Sequence, residues 1–336
     1  MTDKFPLFRL PYVALHEVLN HFQPKVILPL SLCSNKSKRL VKRCQGPRKE
    51  IDITLNIPKN VLTVDILAAF ISVAAVSKLP MNLETVKIGS HIVPVEMKDE
   101  ILKTYWLDEE EGLKEVIGYT SDVFNTDLFS IAFRGTGSSD DVRDWLEWIR
   151  TRQGTLHELF LSYYKVDDDL LMYILESDII TGNLRLFSQC SPGFRGPPPR
   201  PYSIDYLYLM QAMWVTLDHL VAMDIKRIVL YNSPLTVQGI NSFLKKWING
   251  ECSKRIKQLY VDMGNEVNYD VLMEGIEVNR RDPSLKRYYD SPNLVEPING
   301  GFDIRRKEDG AMATIINRSG ELTILFWPDD KGNPYY

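Results

Sequence analysis

Apolar positions along the chain switch from a helical period to a strand–helix alternation, and then to a strand period. At the N-terminal end, Leu15, Val18, Leu19 and Phe22 follow the i, i+3, i+4, i+7 spacing that puts one apolar face on a short helix. Pro24 suits the first turn of a second helix, where a missing N–H has no intrahelical partner to lose. A further apolar set at Ile27, Leu28, Leu30, Leu32, Cys33 and Leu40 precedes the basic end Lys42-Arg43. Three short helices with this much apolar surface cannot bury all of it among themselves. The spacing predicts that the surplus is a docking face. The alternative is a helical hairpin packed on its own domain.

Beyond residue 50, apolar residues at positions one, four and six recur as Leu83-Val86-Ile88, Leu156-Leu159-Leu161, Ile225-Ile228-Leu230 and Ile256-Leu259-Val261, with a partial match at Asn183–Phe187. Each predicts a short strand with alternate residues buried. Helical patterns at 142–150, 167–176, 204–223 and 237–249 separate several of them. Strand–helix units of this kind stack into a curved, leucine-rich-repeat-like α/β layer, irregular because the units are unevenly spaced; a closed α/β domain is the alternative. Strands at 302–307, 311–316 and 322–327, joined by turns containing Gly310 and Gly320, predict a C-terminal β-meander that caps the open edge of that layer. The fold class is α/β (α+β overall). The expected domains are 1–50, three helices; 51–300, the repeat-like α/β region with a core at about 200–263; and 301–336, the meander.

Two segments resemble a known family. "LPYVALHEVLNHFQPKVILPLSLCSNKSKRLVK", with its "FPLFRLP" lead-in, resembles an F-box of the nematode form over residues 5–43. Ser37 departs from it where many F-boxes have a bulky aromatic, and Pro29 interrupts a helix surface usually free of proline. "LVAMDIKRIVLYNSPLTVQGINSFLKKWINGECSKRIKQLYVDM" (220–263) resembles the core of a type 2 F-box-associated domain through Leu230, Asn232, Ser233, Leu235, Asn241, Phe243, Leu244, Trp247, Gly250, Leu259 and Val261. The resemblance implies a non-catalytic substrate-recognition subunit of a cullin–RING (SCF-type) ubiquitin ligase, bridging a Skp-type adaptor, and through it a cullin, to an unknown protein target. The adaptor-binding residues would be Leu10, Pro11, Leu15, Val18, Leu19, Ile27, Leu28 and Leu32. The alternative is an adaptor-binding scaffold that delivers nothing to degradation.

Composition narrows the rest. With 336 residues, 44% hydrophobic and 25% charged, the chain is globular in type, and no apolar run approaches the ~20 residues of a membrane helix. A formal net charge of −4 argues against nucleic acid as a partner. Cys33, Cys44, Cys190 and Cys252 are scattered without CxxC pairing, which fits a reducing cytoplasmic or nuclear setting. Seven basic residues crowd 36–49, read as a solvated helix end, and Asp108–Glu111 reads as an exposed acidic turn. The loop Arg134–Asp141 lacks the lysine and third glycine of a phosphate loop; Ser138 with Asp141 reads as a capping box. The five histidines do not gather at metal spacing, no nucleophile elbow exists, and neither a metal nor a cofactor is expected. The proline-rich stretch 190–201 reads as a stiff linker, with a PxxP docking motif as the alternative.

Overall fold

The structure, a computed structural model, describes residues 6–45, 52–57, 59–64, 69–135, 137–162, 166–202, 204–264, 267–284, 286–291, 294–318 and 320–327. The chain divides into two compact units, Met1–Gly135 and Thr136–Tyr336, and the expected boundaries at 50 and 300 fall inside them.

The first unit begins with helices α1 (Tyr12–Asn20), α2 (Pro24–Leu32) and α3 (Asn35–Gln45). Strands β1 (Ile53–Ile57), β2 (Val61–Val64), β3 (Ala69–Ala75), β4 (Glu84–Ile88), β5 (His91–Lys98), β6 (Ile101–Trp106) and β7 (Leu128–Arg134) follow, with α4 (Glu109–Phe124) between the last two. Their order in the sheet is β7-β1-β2-β3-β6-β5-β4. Pairing is antiparallel except where β1 lies parallel to β7 and β3 parallel to β6. Asp99 and Glu100, at φ 51° and 64°, make the two-residue turn between β5 and β6, since a left-handed backbone there matches the twist of the strands. The match at Leu83-Val86-Ile88 is a strand, but it pairs antiparallel with β5 at the end of this sheet and belongs to no repeat. Asp108–Glu111 is not a turn but a helix start: the Asp108 carboxylate accepts from the Glu111 N–H at 2.8 Å, and the following acids complement the positive end of the helix.

The second unit carries the repeat. Strands β8 (Leu156–Ser162), β9 (Ile180–Phe187), β10 (Tyr206–Leu209), β11 (Arg227–Leu230) and β12 (Gln258–Asp262) are parallel neighbours. Helix α5 (Ser139–Gln153) precedes them; α6 (Asp168–Glu176), α7 (Leu217–Ala222) and α8 (Val237–Ile248) occupy three of the four crossovers. Register aligns Leu159, Leu184, Leu207, Ile228 and Leu259 in one row, and Leu161, Leu186, Leu209, Leu230 and Val261 in the next, all buried. On the opposite pleat Phe160, Phe187, Tyr208, Tyr231 and Tyr260 stack in succession, their ring centroids 5.2, 4.3, 5.6 and 5.2 Å apart.

The expected helix over 204–223 is instead β10 followed by the short α7. Among the described residues no helix joins β9 to β10. The proline-rich segment makes that connection and is held in place: Phe194 meets Trp214 edge-on, His219 Nε2 donates to the Pro197 carbonyl at 2.8 Å, and Arg200 pairs with Asp178. The capping box at Ser138 and Asp141 is present at the start of α5.

A meander closes the sheet. Strand β18 (Glu321–Phe326) pairs antiparallel with β12, followed in space by β17 (Met312–Arg318), β16 (Phe302–Arg305) and the short β13 (Asn279–Arg280). A separate hairpin, β14 (Lys286–Ser291) with β15 (Leu294–Asn299), packs Tyr289 and Ile298 against Met312, Leu325 and Trp327. Asp303 on β16 is buried under it. It accepts from Thr314 Oγ1 at 2.7 Å, from two Arg287 nitrogens at 3.1 Å, and from Arg281 Nε.

Candidate adaptor-docking site

Pro11 stands at the N-cap of α1 in extended backbone, and Pro24 is the first residue of α2, so both helices start where proline is tolerated. Pro29 lies inside α2, which nevertheless runs on to Leu32. Helix α3 starts with a side-chain cap: Ser34 Oγ accepts from the Ser37 N–H at 3.1 Å and bonds the Ser37 hydroxyl at 2.8 Å. Ser37 is buried, and this pairing satisfies its hydroxyl where an aromatic side chain would otherwise pack.

The three helices are integral to the first unit. Helix α2 packs on β3 and α4, and α3 packs on α1, α2 and α4. Ser31 and Tyr119 share a 3.0 Å hydrogen bond, the Lys38 ammonium sits 4.4 Å from the centre of the Tyr119 ring, and burial pushes the Tyr119 phenol up to about 12. Lys38 pairs with Asp122 at 2.7 Å, and Lys42 donates to the same carboxylate. Arg43 stacks over Tyr12. Lys36, Arg39, Lys42 and Arg43 are exposed, in keeping with a solvated helix end, and Lys38 is half-buried against Tyr119; residues 46–49 lie outside the described residues.

Burial alone would raise the Asp122 carboxyl, but the hydrogen bonds and charges of Lys38 and Lys42 outweigh it and hold the carboxyl below its usual range. A depressed carboxylate adds stability above its unfolded value of about 3.9 and loses it as pH falls through the folded value. Asp122→Asn should therefore cost up to about 1 kcal/mol at pH 7, a small sum because the group is partly exposed. Urea melts of wild type and variant should converge as the pH is lowered below about 4; a gap that persists in acid would mean the carboxylate does not hold α3.

The structure sorts the eight expected docking residues into two sets. Leu15, Leu19, Ile27 and Leu28 are buried within the unit. Pro11 is exposed, and Leu10, Val18 and Leu32 are half-buried. Three apolar side chains that the helical stripe does not mark are exposed: Tyr12 at 46%, Val13 at 73% and Val26 at 44%. The stripe identifies the face turned to the core, so it passes over the residues beside it. Among the described residues no group of three or more His, Cys, Asp and Glu gathers to hold a metal.

The F-box domain profile matches residues 7–49, the three helices and their lead-in. The F-box associated profile matches residues 201–261, which form β10, α7, β11, α8 and β12. The chain thus carries an F-box segment and an F-box-associated segment. Family residues in that second match have visible structural work. Phe243, Leu244 and Trp247 form the buried face of α8. Asn232 adopts a left-handed φ of 48° and donates to the Met210 carbonyl at 3.0 Å, and Gly250 takes φ 80° just after the helix.

Two relatives, both from Caenorhabditis elegans, are similar over most of this chain. One is "E3 ubiquitin-protein ligase hecw-1", 24% identical over 285 residues, 76% of this chain but 22% of that protein, so the chain matches about a fifth of its length. The other is "Skn-1 dependent zygotic transcript 15 protein", 24% identical over 341 residues and 96% of each chain. No solved structure matches the chain. F-box and F-box-associated modules are non-catalytic receptor parts with a family-level role in SCF substrate recognition, and F-box domains generally bind a Skp-type adaptor. Among the described residues, no helix is long and apolar enough to cross a membrane.

Proposed function

We propose that this chain is a substrate-recognition subunit of a cullin–RING ubiquitin ligase. It docks a Skp-type adaptor, and through it a cullin, with the outward side of its N-terminal helices, and presents a protein target with the rest of the chain. The observation that carries this reading is the apolar surface left exposed on those helices: Pro11, Tyr12, Val13 and Val26, bordered by half-buried Leu10, Val18 and Leu32. Large apolar side chains in water are the anchors that partner surfaces cover. Leu15, Leu19, Ile27 and Leu28 hold the helices in shape beneath. The similarity to a protein named as an E3 ubiquitin ligase supports a setting in ubiquitin transfer. Catalysis belongs to other subunits, and the receptor contributes proximity by raising the target's effective concentration. Its setting is the cytoplasm, the nucleus or both.

Val13→Asp with Val26→Asp tests the surface. Both positions are exposed, so the melting temperature should stay within about a degree of wild type, in line with near-neutral surface substitutions. Capture of a purified Skp-type adaptor should weaken by about thirtyfold, the loss of one interface hot spot. Undiminished capture would remove this surface from the interface. A bound partner whose lifetime is unchanged by proteasome inhibition would indicate the scaffold instead.

A further inference from the structure

In the second unit, a cleft of about 550 Å³ opens between the C-terminal part of α8, the loop 275–279 and the edge of the meander. Cations from separate elements line it: Lys245 from α8, Arg281 just past β13, Arg305 at the end of β16, and Lys307 in the turn that follows. Two carboxylates face them. Glu277 is exposed at the rim, while Asp303 is buried and its charge is already met by Arg281 and by Arg287 from outside the cleft. The lining is therefore net positive, in a chain whose formal net charge is −4.

Arg281, Arg305 and Lys307 are each held by a hydrogen bond with donors to spare. Asp303 fixes Arg281 through Nε, and beyond that its only described contact is a long one from Nη2 to Met312 Sδ at 3.9 Å. Arg305 donates once, to the Gly310 carbonyl at 3.1 Å, and Lys307 once, to Asn249 Oδ1 at 2.9 Å. Lys245 has no partner among the described residues; its ammonium lies across Gly275, where an added Cβ would stand 3.3 Å away. The far wall is built rather than loose: buried Asn241 on α8 donates to the carbonyls of Leu272 and Glu274, both at 2.9 Å, and so holds the loop against the helix. Guanidinium and ammonium donors converging on a concave site are the arrangement that coordinates a tetrahedral dianion.

We propose that this cleft binds a phosphate-bearing ligand, either a phosphorylated side chain of a polypeptide or a free phosphorylated small molecule. The assignment is independent of adaptor docking.

Calorimetric titration of the full chain with a phosphoserine tripeptide, its unphosphorylated twin, AMP and inorganic phosphate tests it. The phosphorylated probes should bind saturably and the unphosphorylated twin should not. Affinity should fall with added salt, and also as pH drops through about 6, where a phosphate ester loses its second charge. Lys245→Ala with Lys307→Ala should weaken binding by at least about tenfold at an unchanged melting temperature, since two charge-assisted contacts are removed. If that variant proves unstable, exposed Arg305→Gln provides the same comparison and should also weaken binding. Tighter binding of the tripeptide than of AMP would assign the ligand to a polypeptide, and the reverse to a free nucleotide. No saturable binding of any phosphorylated probe, equal binding of the unphosphorylated twin, or no effect of the stable variants would overturn the site.

Discussion

Asp303→Ala should destabilise the second unit by about 3–5 kcal/mol, the cost of leaving a buried charge without its partner. Asp303 is almost wholly enclosed, and its two oxygens accept from Thr314, Arg281 and Arg287. Alanine removes every one of those acceptors. Arg281 is partly exposed and can turn to water, but Arg287 is buried, stacked 5.2 Å from the centre of the Trp327 ring, and has the Gly300 carbonyl as its other acceptor. Thr314 also accepts from Trp327 Nε1 at 2.8 Å, so the damage reaches the hydrophobic cluster beneath the β14–β15 hairpin. Scanning calorimetry should show a fall of roughly 6–20 °C for a unit of this size. Arg287→Met added to Asp303→Ala should recover a large part of the loss, because it removes the stranded charge and leaves a side chain of similar length. Simple addition of the two losses would show that Arg287 is not the group Asp303 neutralises.

Ile27→Ala should cost about 2–5 kcal/mol. The side chain has 0% exposure in the first unit, so truncation leaves a cavity where α2 packs on β3 and α4. Urea unfolding should show a lower midpoint at an unchanged slope. Any fall in adaptor capture by a variant that includes this change would then report loss of the folded unit. Val13→Asp, at an exposed position on α1, should leave the midpoint alone. If Ile27→Ala left stability untouched while abolishing capture, Ile27 would be an interface residue and its burial in the free chain would be wrong.

That contrast marks how far apolar spacing can be read. The i, i+3, i+4, i+7 stripe tells which side of a helix leaves water but not what it leaves water for. Leu15, Leu19, Ile27 and Leu28 fit a docking face equally well until α4, distant in the chain, comes to lie against α2 and α3. The repeat was legible for a comparable reason. Two buried residues per strand on the helix side recur in step, so Leu159-Leu161, Ile228-Leu230 and Leu259-Val261 stand out, as do the amphipathic α5, α6 and α8 beside them. Strand β10 was lost in a predicted helix because Tyr206–Leu209 is apolar throughout and runs toward the true helix α7; a short apolar run carries no period. Ile204, Leu207 and Leu209 nevertheless satisfy the one-four-six spacing. Leu83-Val86-Ile88 shows the opposite failure: alternation detects a pleat and is blind to strand direction. The basic cleft left no local signature at all, since Lys245, Arg281, Arg305 and Lys307 meet only through the pairing of β13 with β16 and the return of the chain to α8.

The parallel pairing of β1 with β7 has a consequence during synthesis. Residues 53–57 emerge from the ribosome long before their neighbours at 128–133, and the helix that supports α2 and α3 ends at Phe124. The N-terminal helices therefore reach their final packing only after about eighty further residues have been translated, because non-local pairs cannot form before both partners exist. A nascent chain arrested before α4 is complete lacks one of the elements that cover Ile27 and Leu28, whereas the finished unit buries both and leaves Val13 and Val26 exposed. An adaptor that selects the second surface would recognise a chain whose first unit is already complete.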